Sequence, residues 1–138
     1  MKLIALAAVA AFLVAAPLAA AQPIEGRWIT QDGDAVVTVA PCGRSLCGTI
    51  SRFLVTPPEG AGQRDVNNPD ARLRTRRILG LPVLTDFSPD GDVWRGRIYD
   101  PKSGRTYRSV LERRDARTLA VKGCIGPICR TQLWRQAR

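Results

Sequence analysis

All four cysteines of the chain fall into two matched cassettes, Cys42-Gly-Arg-Ser-Leu-Cys47 and Cys124-Ile-Gly-Pro-Ile-Cys129. Each pair brackets four residues containing glycine with serine or proline, the spacing of a tight reversal with a cysteine on either shoulder. Such pairs are kept oxidised only outside the reducing cytosol. Local pairing, Cys42 with Cys47 and Cys124 with Cys129, closes the shortest loops and costs least. Cross-pairing between the cassettes requires both turns at the same end of the fold, with Cα atoms within about 7 Å. Each short loop contributes roughly 2 kcal/mol by the chain-entropy argument, a useful increment where total stability is about 5–15 kcal/mol.

The N-terminus agrees with that compartment. Lys2 gives a short positive region, Leu3 to Ala16 is an uninterrupted apolar run, Pro17 breaks it, and Ala19-Ala20-Ala21 offers small residues for cleavage. We expect residues 1–21 to be a cleaved signal peptide and residues 22–138 to form one domain. The apolar run falls short of the roughly 20 residues that span a bilayer. No lipobox cysteine lies near the cut, and nothing later in the chain is apolar enough to cross. The expected location is periplasmic or secreted.

The formal net charge is +9, or +8 without Lys2, with eighteen arginines against three lysines. A basic exported protein can meet anionic lipids, lipopolysaccharide phosphates or acidic polymers, so an anionic envelope component is one candidate partner. A solvated surface written in arginine is the plainer explanation. The arginines are spread along the chain without the stripe that tracks phosphates, and the compartment is wrong for nucleic acid.

From Gly26 the sequence reads as short strands separated by turn residues. The expected strands are 26–30, 35–40, 47–55, 81–87, 92–99, 105–113, 118–124 and 129–135. Trp94, Gly96 and Ile98 share one face while Arg95 and Arg97 point the other way, the alternation of a half-buried strand. Eight antiparallel neighbours in sequence order form an all-β, up-and-down barrel, which leaves no exposed edge. Residues 56–77 interrupt the rhythm with Pro57-Pro58, two glycines, Asp65-Val66-Asn67-Asn68-Pro69-Asp70 and then Arg72, Arg74, Arg76 and Arg77. A loop this long in a compact domain is functional or disordered. A short helical turn is expected near Asp70 to Arg74.

Chemistry is scarce. The chain has no histidine, which excludes histidine triads and histidine metal ligands. The four-residue cysteine spacers favour disulfides over zinc, and no C-x-x-C redox motif is present. Asp65, Asn67, Asn68 and Asp70 suggest calcium, yet the central glycine and terminal glutamate of a calcium loop are missing. Asx turns and a helix cap account for them more simply. Most aspartates sit beside glycine or proline in turns, where they are solvated, and no serine has a base to activate it. We expect no catalytic residues, no metal, no cofactor and no enzymatic activity.

Gly26-Arg27-Trp28, Pro41-Cys42-Gly43 with Leu46-Cys47-Gly48, and Asp65 with Asn68-Pro69-Asp70 come in order along the chain. They are followed by Leu79-Gly80-Leu81-Pro82, Gly96 to Pro101, Gly104 to Tyr107 and Gly123-Cys124 with Cys129 to Trp134. The series resembles the exported bacterial family labelled domain of unknown function 2147, over essentially all of residues 22–138. The resemblance implies a lipocalin-like barrel of about eight strands and no particular reaction. In lipocalin-type barrels the Gly-x-Trp tryptophan plugs the closed end under an arginine of the last strand. Trp28 would be that plug, with Arg130 or Arg135 stacked on it.

Small barrels either fill with side chains or hold one small ligand. The aromatic residues Trp28, Trp94, Tyr99, Tyr107 and Trp134 fit a filled core or a lined cavity. The leading functional expectation is binding of a small apolar or amphipathic molecule in the barrel mouth, under the long loop. Trp94, Ile98 and Tyr107 would give apolar contact, and Arg74 or Arg76 would hold an anionic head group. The alternative is a protein-interaction or envelope-structural module with a solid core and a basic surface. A cavity of several hundred Å³ distinguishes the first from the second.

Overall fold

The structure is a computed structural model describing residue 2 and residues 8–138. The expected leader thus lies partly outside the described residues. Residues 8–25 carry no helix or strand, and among the described residues no helix is long and apolar enough to cross a membrane. Eight strands follow: β1 (Gly26–Ile29), β2 (Ala35–Cys42), β3 (Ser45–Phe53), β4 (Pro82–Asp90), β5 (Val93–Asp100), β6 (Arg105–Asp115), β7 (Thr118–Ile125) and β8 (Ile128–Gln136). Each pairs antiparallel with the next, and β8 returns to β1, closing an up-and-down barrel in sequence order. The expected all-β architecture and strand count hold.

The strands run further into the turns than the sequence punctuation suggests. Pairing of β2 with β3 continues to Cys42 opposite Ser45, and pairing of β7 with β8 continues to Ile125 opposite Ile128. Each turn therefore has two central residues, Gly43-Arg44 and Gly126-Pro127. The leading glycine takes a positive φ in both (66° and 55°), as a tight hairpin demands. Likewise Ser88 to Asp90, read as a turn, belongs to β4 and pairs with β5.

Both disulfides are local. Cys124 lies directly opposite Cys129, whereas Cys42 faces Ser45 and bonds diagonally to Cys47. The strand directions place the first hairpin turn at one end of the barrel and the second at the other, which rules out cross-pairing.

The end carrying the Cys42–Cys47 turn is closed. Trp28 has no solvent exposure, and its Nε1 donates to the Ile24 carbonyl at 2.9 Å. Trp94 Nε1 donates to the Gln22 carbonyl at 2.9 Å, so the segment before β1 crosses the floor under two tryptophans. Phe87, Leu84, Leu111 and Leu119 fill the space around Trp28. The stacking arginine is not on the last strand. Arg113 of β6 lies over the Trp28 ring, 5.0 Å from its centroid. Register explains the correction. Trp28 pairs with Gln136, which leaves Arg130 six residues away, about 20 Å along β8. Arg135 pairs with Ile29 and is exposed.

Candidate functional site

Above this floor the barrel does not fill. Ala35, Val37, Ile50, Val83 and Ile98 line a cavity of about 670 Å³ at the open end. The long loop between β3 and β4 roofs one side through Val55, Pro57 and Val66. The opposite side is formed by Gln132 and Trp134 of β8. That side stands open because β1 is only four residues long and meets β8 at two positions, Trp28–Gln136 and Ile29–Arg135. Just above them the Leu133 N–H donates to Gln31 Oε1 at 2.9 Å.

The roof is tied down at its centre. Asp65 has no solvent exposure and accepts three hydrogen bonds: from Tyr99 OH at 2.6 Å, Asn68 Nδ2 at 2.9 Å and Arg76 Nε at 2.9 Å. Its own N–H donates to the Arg76 carbonyl, and the Arg76 guanidinium sits 5.7 Å from the Tyr99 ring centroid. Burial, followed by the bond to the Asp65 carboxylate, pushes the Tyr99 hydroxyl up to about 12. Asn67 Nδ2 donates to the carbonyls of Pro101 and Lys102. The loop also touches the β5–β6 turn so closely that a Cβ on Gly104 would stand 1.9 Å from the Asn67 oxygen. Asx geometry and a cap shape the rest. Asn68 Oδ1 accepts from Asp70 N–H, and Asp70 accepts from Arg72 N–H at the start of a 3-10 turn over Ala71–Leu73.

The polar rim of the cavity is made by the β1–β2 and β5–β6 turns. Lys102 Nζ lies 2.7 Å from Asp34 and 3.6 Å from Asp32, bridging the two turns. Its bond to Asp34 outweighs burial and holds the Lys102 ammonium above its ordinary pKa. Burial raises the Asp34 carboxyl, but bonds from Lys102 and Thr30 overcome it and leave its pKa lowered. Arg64 is the other cation on the lining, with one guanidinium N–H committed to the Thr75 carbonyl.

Of the residues expected to form the site, Ile98 lies on the cavity wall. Trp94 belongs to the floor, four residues down β5 from Ile98, and Tyr107 is half-buried opposite Ile98 without lining the cavity. Arg74 donates to the Asn68 carbonyl at 2.7 Å and Arg76 is bound to Asp65, so both arginines hold the loop and neither reaches the lining. Tyr99 and Trp134, two of the aromatics expected to fill the core or line a cavity, do line it, whereas Arg64, Lys102 and Asp34 were not expected there. Asp65 reads as a turn former in the sequence, which carries no mark of its bond to Tyr99.

Comparison with known proteins adds a family and a fold. Residues 26–136 match the family described as uncharacterized proteins conserved in bacteria, DUF2147. The chain belongs to this family. Among solved structures, this DUF2147 member is similar to protein HP1028 from the human pathogen Helicobacter pylori, described as belonging to the lipocalin family. The two share 18% identity over 84% of each chain, with a TM-score of 0.74. At that identity the likeness shows a lipocalin-like fold. No curated protein matches the sequence.

Proposed function

We propose that this DUF2147 barrel binds one small apolar or amphipathic molecule in the cavity at its open end, as a non-enzymatic carrier or sensor outside the cytoplasm. The cavity carries the reading. About 670 Å³ of largely apolar space above a tryptophan floor is the size and chemistry of a small-molecule site. A cavity of several hundred Å³ favours ligand binding over an interaction or structural module with a solid core. The two disulfides and the bacterial family support a periplasmic or secreted location. Removing an apolar tail from water supplies the affinity. A carboxylate or phosphate head at the rim would meet Arg64, whose remaining N–H groups can donate to two oxygens of either anion.

Titration calorimetry against fatty acids, lysophospholipids and the matching long-chain alcohols tests this. Arg64→Gln should weaken the anionic members about tenfold, the loss of one charge-assisted hydrogen bond, and leave the alcohols unchanged. Arg74→Gln should spare affinity, because Arg74 faces the loop's own carbonyls. If no panel member binds more tightly than about millimolar, the carrier reading fails and the interaction-module reading replaces it.

A further inference from the structure

From Gln22 onward the large hydrophobic side chains left exposed are unevenly placed. Leu54, Val55, Val66, Leu73 and Leu79 belong to the β3–β4 loop, and Ile125 and Ile128 to the β7–β8 hairpin. Both connections leave from the open end. Leu133, on the outer face of β8, is the remaining one, and the closed end contributes none. Ile125 and Ile128, at 60% and 72% exposed, are the most exposed of them, and they sit opposite each other at a hairpin tip stapled by Cys124–Cys129. A two-residue Gly-Pro turn does not need isoleucine on both shoulders, and the staple holds the pair out in water at a standing hydrophobic cost.

The surroundings of the tip are basic. No acid occurs between Ala116 and Arg138, a stretch holding four arginines and Lys122. Arg108 donates to the Gly126 carbonyl at the tip itself. Among the described residues Arg105, Arg108 and Arg130 form no ion pair, although Arg105 stands opposite Asp100 across β5 and β6. Of the acids of the loop and mouth, Asp65 pairs with Arg76, Asp70 with Arg72, and Asp32 and Asp34 share Lys102, while Glu59 and Asp100 have no ion pair among the described residues.

We propose that the open end of the barrel docks on an anionic lipid surface, with Ile125 and Ile128 entering the headgroup–acyl boundary and Arg105 and Arg130 meeting lipid phosphates. Apolar insertion and basic attraction are the two signals that together hold a protein at an interface. The exposed apolar residues come from two separate segments, the β3–β4 loop and the β7–β8 hairpin, that leave the same end of the barrel as the cavity mouth. A fluid lipid surface accommodates such separate insertions, whereas a protein partner calls for a contiguous, shape-matched patch. The mouth would then open onto the layer in which amphiphiles are dissolved. Docking stands without the cavity reading, since it needs no bound ligand.

Flotation with vesicles tests it, using the chain from Gln22, which contains all eight strands and both disulfides. Vesicles of phosphatidylcholine alone should leave the protein in solution, and vesicles containing phosphatidylglycerol should carry it upward, less so at high ionic strength. Ile125→Ser with Ile128→Ser should lower partitioning at least tenfold, with the thermal melt unchanged. Arg130→Gln should lower it about fivefold, and Arg44→Gln, in the turn at the closed end, should not. Three results overturn the proposal: no binding to anionic vesicles, binding that survives the double serine variant, or an equal loss with Arg44→Gln. A dimer in light scattering that the double serine variant converts to monomer would overturn it too, by showing that a second copy covers the isoleucines.

Discussion

Tyr99 and Asp65 are 34 residues apart, yet a 2.6 Å hydrogen bond joins the loop that roofs the cavity to the barrel wall. Tyr99 stays protonated well above its ordinary 10.0, to about 12, because burial and the neighbouring carboxylate both oppose phenolate. Its stabilising contribution is therefore complete below pH 10 and is lost as pH rises through about 12. Ultraviolet titration of the phenolates, with Tyr99→Phe as the reference, should assign to Tyr99 a step near 12; a step near 10 that disappears in the variant would break the account. Trp28 makes the matching statement at the floor. Trp28→Ala should cost about 3–5 kcal/mol in urea unfolding, as for other buried aromatics. Arg113→Met should cost about 1 kcal/mol through the lost stacking, while Arg130→Met should stay within about 0.5 kcal/mol, as for surface changes.

At the level of elements, the two hairpins at opposite ends of the barrel are each closed by their own disulfide. Non-reducing peptide mapping should recover Cys42 with Cys47 and Cys124 with Cys129, and a peptide joining the two pairs would contradict the topology. The eight strands were legible because alternation and turn residues are local signals, and each strand reads them within a few residues. Their ends were less so: Cys42, Ser45, Ile125 and Ile128 look like turn residues by neighbourhood but are paired strand residues by register. The long loop announced itself by breaking the rhythm, and its short helical turn was visible in Asn68-Pro69-Asp70. Its contacts were not. Arg74 and Arg76 look available for a ligand in sequence, and only the fold brings Asp65 and the loop's own carbonyls to them. The stacking arginine differs for the same reason, since closure of the barrel, not order along the chain, brings Arg113 of β6 over Trp28 of β1.

The whole molecule is a cup with unlike ends. Tryptophans and aliphatic side chains close one end, and the other holds the cavity, the anchored loop and most of the exposed apolar residues. The size of the cavity was beyond the sequence, because it depends on how side chains from many strands pack across the barrel and on where β1 stops. The segment before β1 passes under Trp94, and at the far end of the chain the Ala137 N–H donates to the Arg27 carbonyl, so both approaches to the barrel lie at its base. A surface coupling or fluorescent label joined beyond Arg138 would grip the cup by its foot. Immobilised that way, the protein presents its mouth to the solution, and soluble amphiphiles and whole vesicles can be offered to it in the same orientation.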